Sequence, residues 1–385
     1  MNILFDIKTT QKFVGGSSEY TRRVFFTLLD IIKERHLNVC LIGLIDTRIP
    51  TFAYNDLSPE SLRSIGVEVA DIAHSSLKEI ISNFSIDKIF IGCGQTWNRY
   101  DLENVSIPVV CVIHDLWNEE FCQNHINDML LLDVGMWRFL KHRIRLLLKG
   151  DDSLRWNAPI INMLKRNSGS QLVTVSQSTQ LSISYFYNIS VEDIVVLYSP
   201  QRISKMKAEI ENSTLRSMVT EDRKFFLMLS ANRNHKNAAK TMRAFKKYVE
   251  LVDSDSYIAT TGYRLQEFTN HIPLPYLSES DLAHAMKNCH ALLFPSFFEG
   301  FGYPPVEVMG FGKPILVSNT SSLPEVCGDA AIYFSPFYES EIYKALIKIC
   351  DKNYSLYCKK SLTRYLDLCE QQKKSLDKLI NIILR

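Results

Sequence analysis

Little in this chain of 385 residues favours a partner of one charge: 44 basic and 42 acidic residues leave a net charge of +2. Without an overall field, nucleic acid is a poor first partner. No two cysteines form a CxxC pair, and the nine present are an odd number, several of them in apolar runs. That argues for reduced core thiols rather than a disulfide framework. No apolar stretch is long and clean enough to span a bilayer, and the opening MNILFDI enters a strand-like run with no basic leader. No His, Cys or carboxylate cluster has convincing metal-ligand spacing, and the Asp253-Ser254-Asp255 triplet reads as a solvated turn. The expectation is a cytoplasmic protein that needs no metal or other cofactor.

A hydrophobic content of 46% supplies two domains with substantial cores. Short apolar runs at Asn2–Ile7, Val39–Ile45, Ile86–Gly92, Val109–His114 and Leu172–Ser176 alternate with polar or helical text. The helical pattern after the first run places Tyr20, Val24, Phe25, Leu28, Leu29 and Ile32 on one face. A second series begins at Phe225–Ser230 and continues through Tyr257–Gly262, Ala291–Pro295 and Ile315–Ser318, with a helical stretch at Asn237–Leu251. Such alternation predicts an α/β protein of two Rossmann-like, doubly wound domains, facing a cleft at the carboxyl ends of their sheets. The polar stretch Ser199–Arg223 reads as the connection, giving domains 1–199 and 200–360.

The most informative segment is FPSFFEGFGYPPVEVMGFGKP, from Phe294 to Pro314. Gly300 and Gly302 allow close backbone approach or positive φ, and Pro304 and Pro305 suit the start of a helix, which places Glu307 in that helix's first turn. The amides of Gly302, Tyr303 and Val306 can face an anion such as a diphosphate, while Glu299 and Glu307 can accept hydrogen bonds from ribose and sugar hydroxyls. Spacing alone fits two solvated, helix-flanking carboxylates as well.

Three other places combine a strand end with polar chemistry. Gly15-Gly16 follows the first strand and precedes a helix, with Ser17 or Ser18 as N-cap; its amides can approach phosphate, though an ordinary turn reads the same way. His114-Asp115 closes the run PVVCVIHDL, where the imidazole can orient a hydroxyl or take a proton with its basicity raised by a nearby carboxylate. The loop SANRNHKN sets Arg233 and Lys236 before a helix, as a cationic anion site or as a pair of solvated loop cations. Gly262 and Ser296 sit at predicted strand ends that can line a nucleotide pocket.

The whole stretch His290–Pro336 closely resembles the C-terminal half of the retaining glycosyltransferases of family 4, whose signature is a Glu, seven residues and a second Glu. GGSSEYTRRV resembles their early glycine-rich loop with its following Tyr and Arg, and VIHDL resembles their His-bearing motif. Lys236-Asn237 matches the end of a family loop that usually opens Gly-Arg; here Ala231 stands at the Arg position and Arg233 two residues later.

This resemblance implies the GT-B fold, with a helix in 361–385 crossing back to the first domain. It implies a nucleotide diphosphate sugar, UDP- or GDP-linked, as co-substrate. Catalytic roles fall to Glu299, His114 and Lys236. Donor binding falls to Gly15, Gly16, Arg233, Lys236, Gly262, Ser296, Glu299, Gly300, Phe301, Gly302, Tyr303 and Glu307, and the acceptor side to Tyr20 and Asp115. The implied reaction moves a hexose-type sugar, with retention, to a glycan or lipid-linked glycan in surface polysaccharide synthesis. A sugar-nucleotide epimerase, a two-carboxylate glycosidase and a non-catalytic sugar-nucleotide-binding scaffold remain as alternatives.

Residues 129–149, MLLLDVGMWRFLKHRIRLLLK, interleave basic and apolar side chains. They suit either a core helix with snorkelling cations or a helix lying on an anionic membrane surface, where a lipid-linked acceptor would be presented.

Overall fold

A computed structural model describes the chain except for residues 12–14, 98–104, 125–139, 141–156, 203–205, 264–265 and 350. Two compact units result: the first holds Met1–Asn124, the described residues 157–201 and Gln371–Arg385, and the second holds Arg202–Glu370. Their division falls between Gln201 and Arg202. The long C-terminal helix, Asp351–Leu384, contributes residues to both.

The first unit is built on a seven-stranded sheet of order β3-β2-β1-β4-β5-β6-β7, every pairing parallel. Its strands are β1 Asn2–Asp6, β2 Cys40–Ile45, β3 Glu68–Asp71, β4 Lys88–Ile91, β5 Val109–Ile113, β6 Gln171–Thr174 and β7 Ile194–Val196. Parallel strands need crossovers, and helices fill them. Helix Gly16–Glu34 buries Tyr20, Val24, Phe25, Leu28, Leu29 and Ile32, the apolar face read from the sequence. Full burial of one such Leu or Phe stabilises by roughly 1.5–3 kcal/mol.

The second unit carries a six-stranded sheet of order β10-β9-β8-β11-β12-β13, also parallel throughout. These strands are β8 Phe225–Met228, β9 Tyr257–Thr261, β10 His271–Leu274, β11 Ala291–Phe294, β12 Ile315–Ser318 and β13 Ala331–Phe334. Helix Ala238–Leu251 packs Met242, Phe245 and Tyr248 into a core with Phe226 and Ile258.

Both sheets are doubly wound, so strand order reverses once in each, between β1 and β4 and between β8 and β11. Loops leaving the carboxyl ends of those paired strands diverge to opposite faces and leave a crevice, the usual ligand position in open α/β sheets. In the first unit these are the Gly15 loop and Gly92–Trp97, and in the second they are Ser230–Asn237 and Pro295–Gly302.

The end of the C-terminal helix is held by polar contacts from the first unit. Lys88 Nζ donates to the carbonyls of Ile382 and Ile383 at 3.3 and 3.2 Å, complementing the negative end of the helix dipole. Gln372 Nε2 donates to the Ser199 carbonyl at 2.8 Å. Among the described residues no helix is long and apolar enough to cross a membrane.

Candidate functional site

At the second unit's switch point two loops are stitched together. Phe297 N–H donates to the His235 carbonyl at 2.9 Å. A short 3-10 turn, Asn234–Lys236, then reverses at Asn237, which takes a left-handed conformation (φ 58) and anchors its side chain on the Pro336 carbonyl at 2.8 Å. Asn is among the few residues that tolerate this backbone, and the reversal turns Lys236 inward. Its ammonium, buried, lies 2.5 Å from Glu299 Oε1 and 4.1 Å from the centroid of the Phe294 ring.

Glu299 is fixed from both sides of its own backbone: its N–H donates to Ser321 Oγ and its carbonyl accepts from Ser322 Oγ, each at 2.9 Å. Burial would raise its carboxyl, but the Lys236 charge, the adjacent His235 and hydrogen bonds from Lys236 and Ser296 together hold it below the usual glutamate range. His235 behaves in the opposite sense. Burial, then the neighbouring Lys236 charge, pull its imidazole down to about 4. At neutral pH His235 is therefore uncharged, and the loop's other basic residues are the buried Lys236 and the exposed Arg233.

Gly302 adopts φ 93, and a Cβ there would sit 2.8 Å from Leu323 Cδ2, so only glycine fits. It caps the helix Tyr303–Gly310, which starts one residue ahead of the two prolines. Glu307 is consequently the fifth helical residue, in the second turn, which corrects the first-turn placement expected when Pro304 is taken as the helix start. Its carboxylate is buried, 8% exposed, and Arg202 Nε lies 3.4 Å from Oε1. Gly262 (φ 80) directly follows β9, and a Cβ there would meet Asn232 Oδ1 at 2.7 Å. That same oxygen accepts from Tyr276 Oη at 3.0 Å, tying the Arg233 loop to the residues after β10.

In the first unit, helix Gly16–Glu34 begins with Gly15 as its N-cap, so Ser17 and Ser18 lie inside the helix rather than capping it. Ser18 Oγ reaches back and accepts from the Gly15 N–H at 2.7 Å, occupying one of the amides expected to face phosphate. Tyr20 is buried, 1% exposed, and meets the His114 ring edge-on with centroids 4.9 Å apart.

His114 Nε2 lies 2.8 Å from the Gly92 carbonyl, an atom that can only accept. Nε2 must therefore carry the proton, and Nδ1 is left as an acceptor. Burial pushes this imidazole down to about 4, with the Gly92 hydrogen bond opposing only in part, so the expectation of a basicity raised by a neighbouring carboxylate fails. Asp115 Oδ1 instead accepts from the Trp117 N–H at 3.2 Å.

Two residues escape a reading of the sequence. Asp6, at the carboxyl end of β1, is fully buried; burial raises its carboxyl, and Trp97 Nε1 donates to it at 2.6 Å. A lone acid ending an apolar run was the available signal. Arg202 lies in the polar connection far from Glu307 in sequence, and nothing local marks it. The acidic triplet at Asp253 is a turn at the amino end of β9, where Asp253 pairs with Lys224 at 2.8 Å. Among the described residues no cluster of His, Cys, Asp and Glu could hold a metal ion. Apart from Leu140, the 129–149 stretch lies outside the described residues.

Residues 211–361 match the family described as Glycosyl transferases group 1. The chain is 40% identical over 393 aligned positions to the serotype-specific mannosyltransferase WbdA of Escherichia coli, covering 90% of this chain and 44% of that protein. It is 29% identical over 189 residues to the O-antigen chain mannosyltransferase RfbU of Salmonella typhimurium, 46% of this chain and 50% of the relative. The alignments thus span half or less of these curated relatives. Among solved structures, Anabaena HepE in complex with UDP and glucose superposes with a TM-score of 0.66 at 13% identity, covering 98% of this chain and 99% of that one. WaaG, a glycosyltransferase involved in lipopolysaccharide biosynthesis, does so with a TM-score of 0.65 at 14% identity, covering 100% and 99%. At such identities the likeness establishes the fold, that of the GT-B glycosyltransferases.

Proposed function

We propose that this chain, with its group 1 glycosyl transferase segment in the second unit, moves a hexose-type sugar from a nucleotide diphosphate sugar to a hydroxyl of a glycan or lipid-linked glycan. The observation that carries the reading is the buried Lys236–Glu299 pair at the switch point of the second sheet, 2.5 Å long. It places a cation and an ionised carboxylate where open α/β sheets bind ligands, at the entry to a helix. The mannosyltransferase relatives support a role in surface polysaccharide synthesis.

In this mechanism Lys236, which has two donors left beyond its bond to Glu299, and Arg233 neutralise the diphosphate as the bond from the anomeric carbon to phosphate oxygen breaks. Glu299 holds hydroxyls of the donor sugar and offsets positive charge near its anomeric carbon. Glu307 takes ribose hydroxyls, and the loop Ser296–Tyr303 with Gly262 shapes the nucleotide pocket. The acceptor oxygen attacks from the face the phosphate leaves, and the departing phosphate takes its proton, so the anomeric configuration is retained. His114, neutral at physiological pH, orients a hydroxyl through Nδ1. The acceptor side falls to the first unit near Asp115, and residues 129–149 meet an anionic membrane surface where a lipid-linked acceptor is presented.

Incubation with GDP-mannose and with UDP-glucose, with and without glycan acceptors, tests the reading through nucleotide release and the proton spectrum of the product. Acceptor-dependent release with a retained anomeric linkage is expected. Donor conversion without acceptor would indicate an epimerase or hydrolase, and binding without release a scaffold; either outcome overturns the proposal.

A further inference from the structure

A buried carboxylate needs its charge met, and Glu307 is poorly placed to meet it within its own helix. The first turn of Tyr303–Gly310 includes Pro304 and Pro305, neither of which has an N–H to offer a carboxylate reaching back. The countercharge comes instead from Arg202, which opens the 202–370 segment of the second unit. Side-chain exposures of 21% for Arg202 and 6% for Glu307 make this a pair shielded from water, so it costs desolvation that a surface pair would not. A pair of this kind, contributed from outside both switch-point loops, has more to do with orientation than with net stability.

We propose that Arg202 is a positioning residue for ribose recognition. Its Nε, 3.4 Å from Oε1, sets a guanidinium charge against the Glu307 carboxylate, favouring its anionic form and one orientation of the acid, so that it accepts from the vicinal hydroxyls of a bound nucleoside diphosphate. An ionised, oriented carboxylate accepts two hydroxyl protons, whereas a neutral or freely rotating one discriminates less well between a ribose and a deoxyribose. This inference rests on the proposed donor role of Glu307.

The test compares affinities of the full chain for GDP and UDP with those for their 2′-deoxy and 3′-deoxy forms, by titration calorimetry. The natural chain is expected to bind at least one ribonucleotide about tenfold or more tightly than its deoxy forms, the loss of one well-placed polar contact. Arg202→Gln should bring that ratio towards one mainly by weakening the ribo form, with Arg202→Lys intermediate and both variants as cooperative in unfolding as the parent. Equal weakening of ribo and deoxy forms by Arg202→Gln would place the guanidinium on phosphate and overturn the inference. Should Arg202→Gln fail to fold, an unchanged ratio in a folded Arg202→Lys variant overturns it.

Glu307→Gln separates the two levels. If it flattens the ratio while Arg202→Gln does not, only the positioning role falls. If Glu307→Gln leaves the ratio intact, or the natural chain shows none, the ribose role of Glu307 itself falls.

Discussion

The Lys236 ammonium and the Glu299 carboxylate form a 2.5 Å pair in which the lysine side chain is 8% exposed and the glutamate side chain 15%, with the Phe294 ring closing one side of the cation. Neither charge is well solvated, so each depends on the other.

Lys236→Met should therefore cost both fold and function. Breaking a buried pair by removing one partner typically costs about 3–5 kcal/mol, and the residual exposure of Glu299 points to the lower part of that range. Lys236→Met combined with Glu299→Gln removes both charges and should recover most of that loss in denaturant unfolding. Nucleotide release should stay at least about 100-fold down in both variants, because each lacks the cation proposed to neutralise the diphosphate.

Acid should destabilise the protein before carboxylates titrate. His114, His235 and His271 are each pushed by burial from the ordinary 6.5 to about 4. Unfolded imidazoles bind protons more readily than these, so stability present above pH 6.5 is lost as pH falls through the window from 6.5 towards 4. The half-buried groups contribute less than a full shift implies, and each histidine is expected to supply on the order of 1–3 kcal/mol. Denaturant midpoints across this window check it, and His271→Asn should flatten the slope.

His114 should not shape the activity profile near neutrality. With its imidazole neutral above pH 5, its removal should lower turnover about 10- to 100-fold without moving any ionisation between pH 6 and 8. Rate against pH for the parent and His114→Ala reads this directly.

Gly302→Ala should be the most damaging single-methyl change in the loop Pro295–Gly302. A non-glycine residue at φ 93 costs about 1–3 kcal/mol, and the added Cβ would press on Leu323 at 2.8 Å. Thermal unfolding should show that loss, and affinity for GDP or UDP should fall by at least about tenfold as the helix start shifts.

As proposed above, Lys236 and Arg233 would neutralise the diphosphate in place of a metal ion. Chelation with EDTA should leave nucleotide release within about twofold of its untreated rate.

Every strand legible in the sequence is an interior strand: β1, β2, β4, β5 and β6 in the first sheet, and β8, β9, β11 and β12 in the second. Those missed, β3, β7, β10 and β13, are the four sheet edges. The reason is burial. Interior parallel strands are covered on both faces and read as unbroken apolar runs, as in Phe225–Met228, whereas Glu68–Asp71 and Ile194–Val196 each keep partly exposed positions and carry weaker patterns. Two helix starts are misplaced by one to three residues: the Gly302 start turns on a left-handed glycine, and at Gly15 local text permits several N-caps without selecting one.

The amino-acid sequence alone determined the alternation of strand and helix in two series and the loops that bear Glu299, Lys236 and His114, because periodicity and turn chemistry are local. Tertiary structure decided the rest: that Lys236 turns inward onto Glu299, that Glu307 answers to Arg202, and that His114 is held neutral against Gly92. Pairing and desolvation arise between segments distant along the chain, and no residue's immediate neighbours encode them.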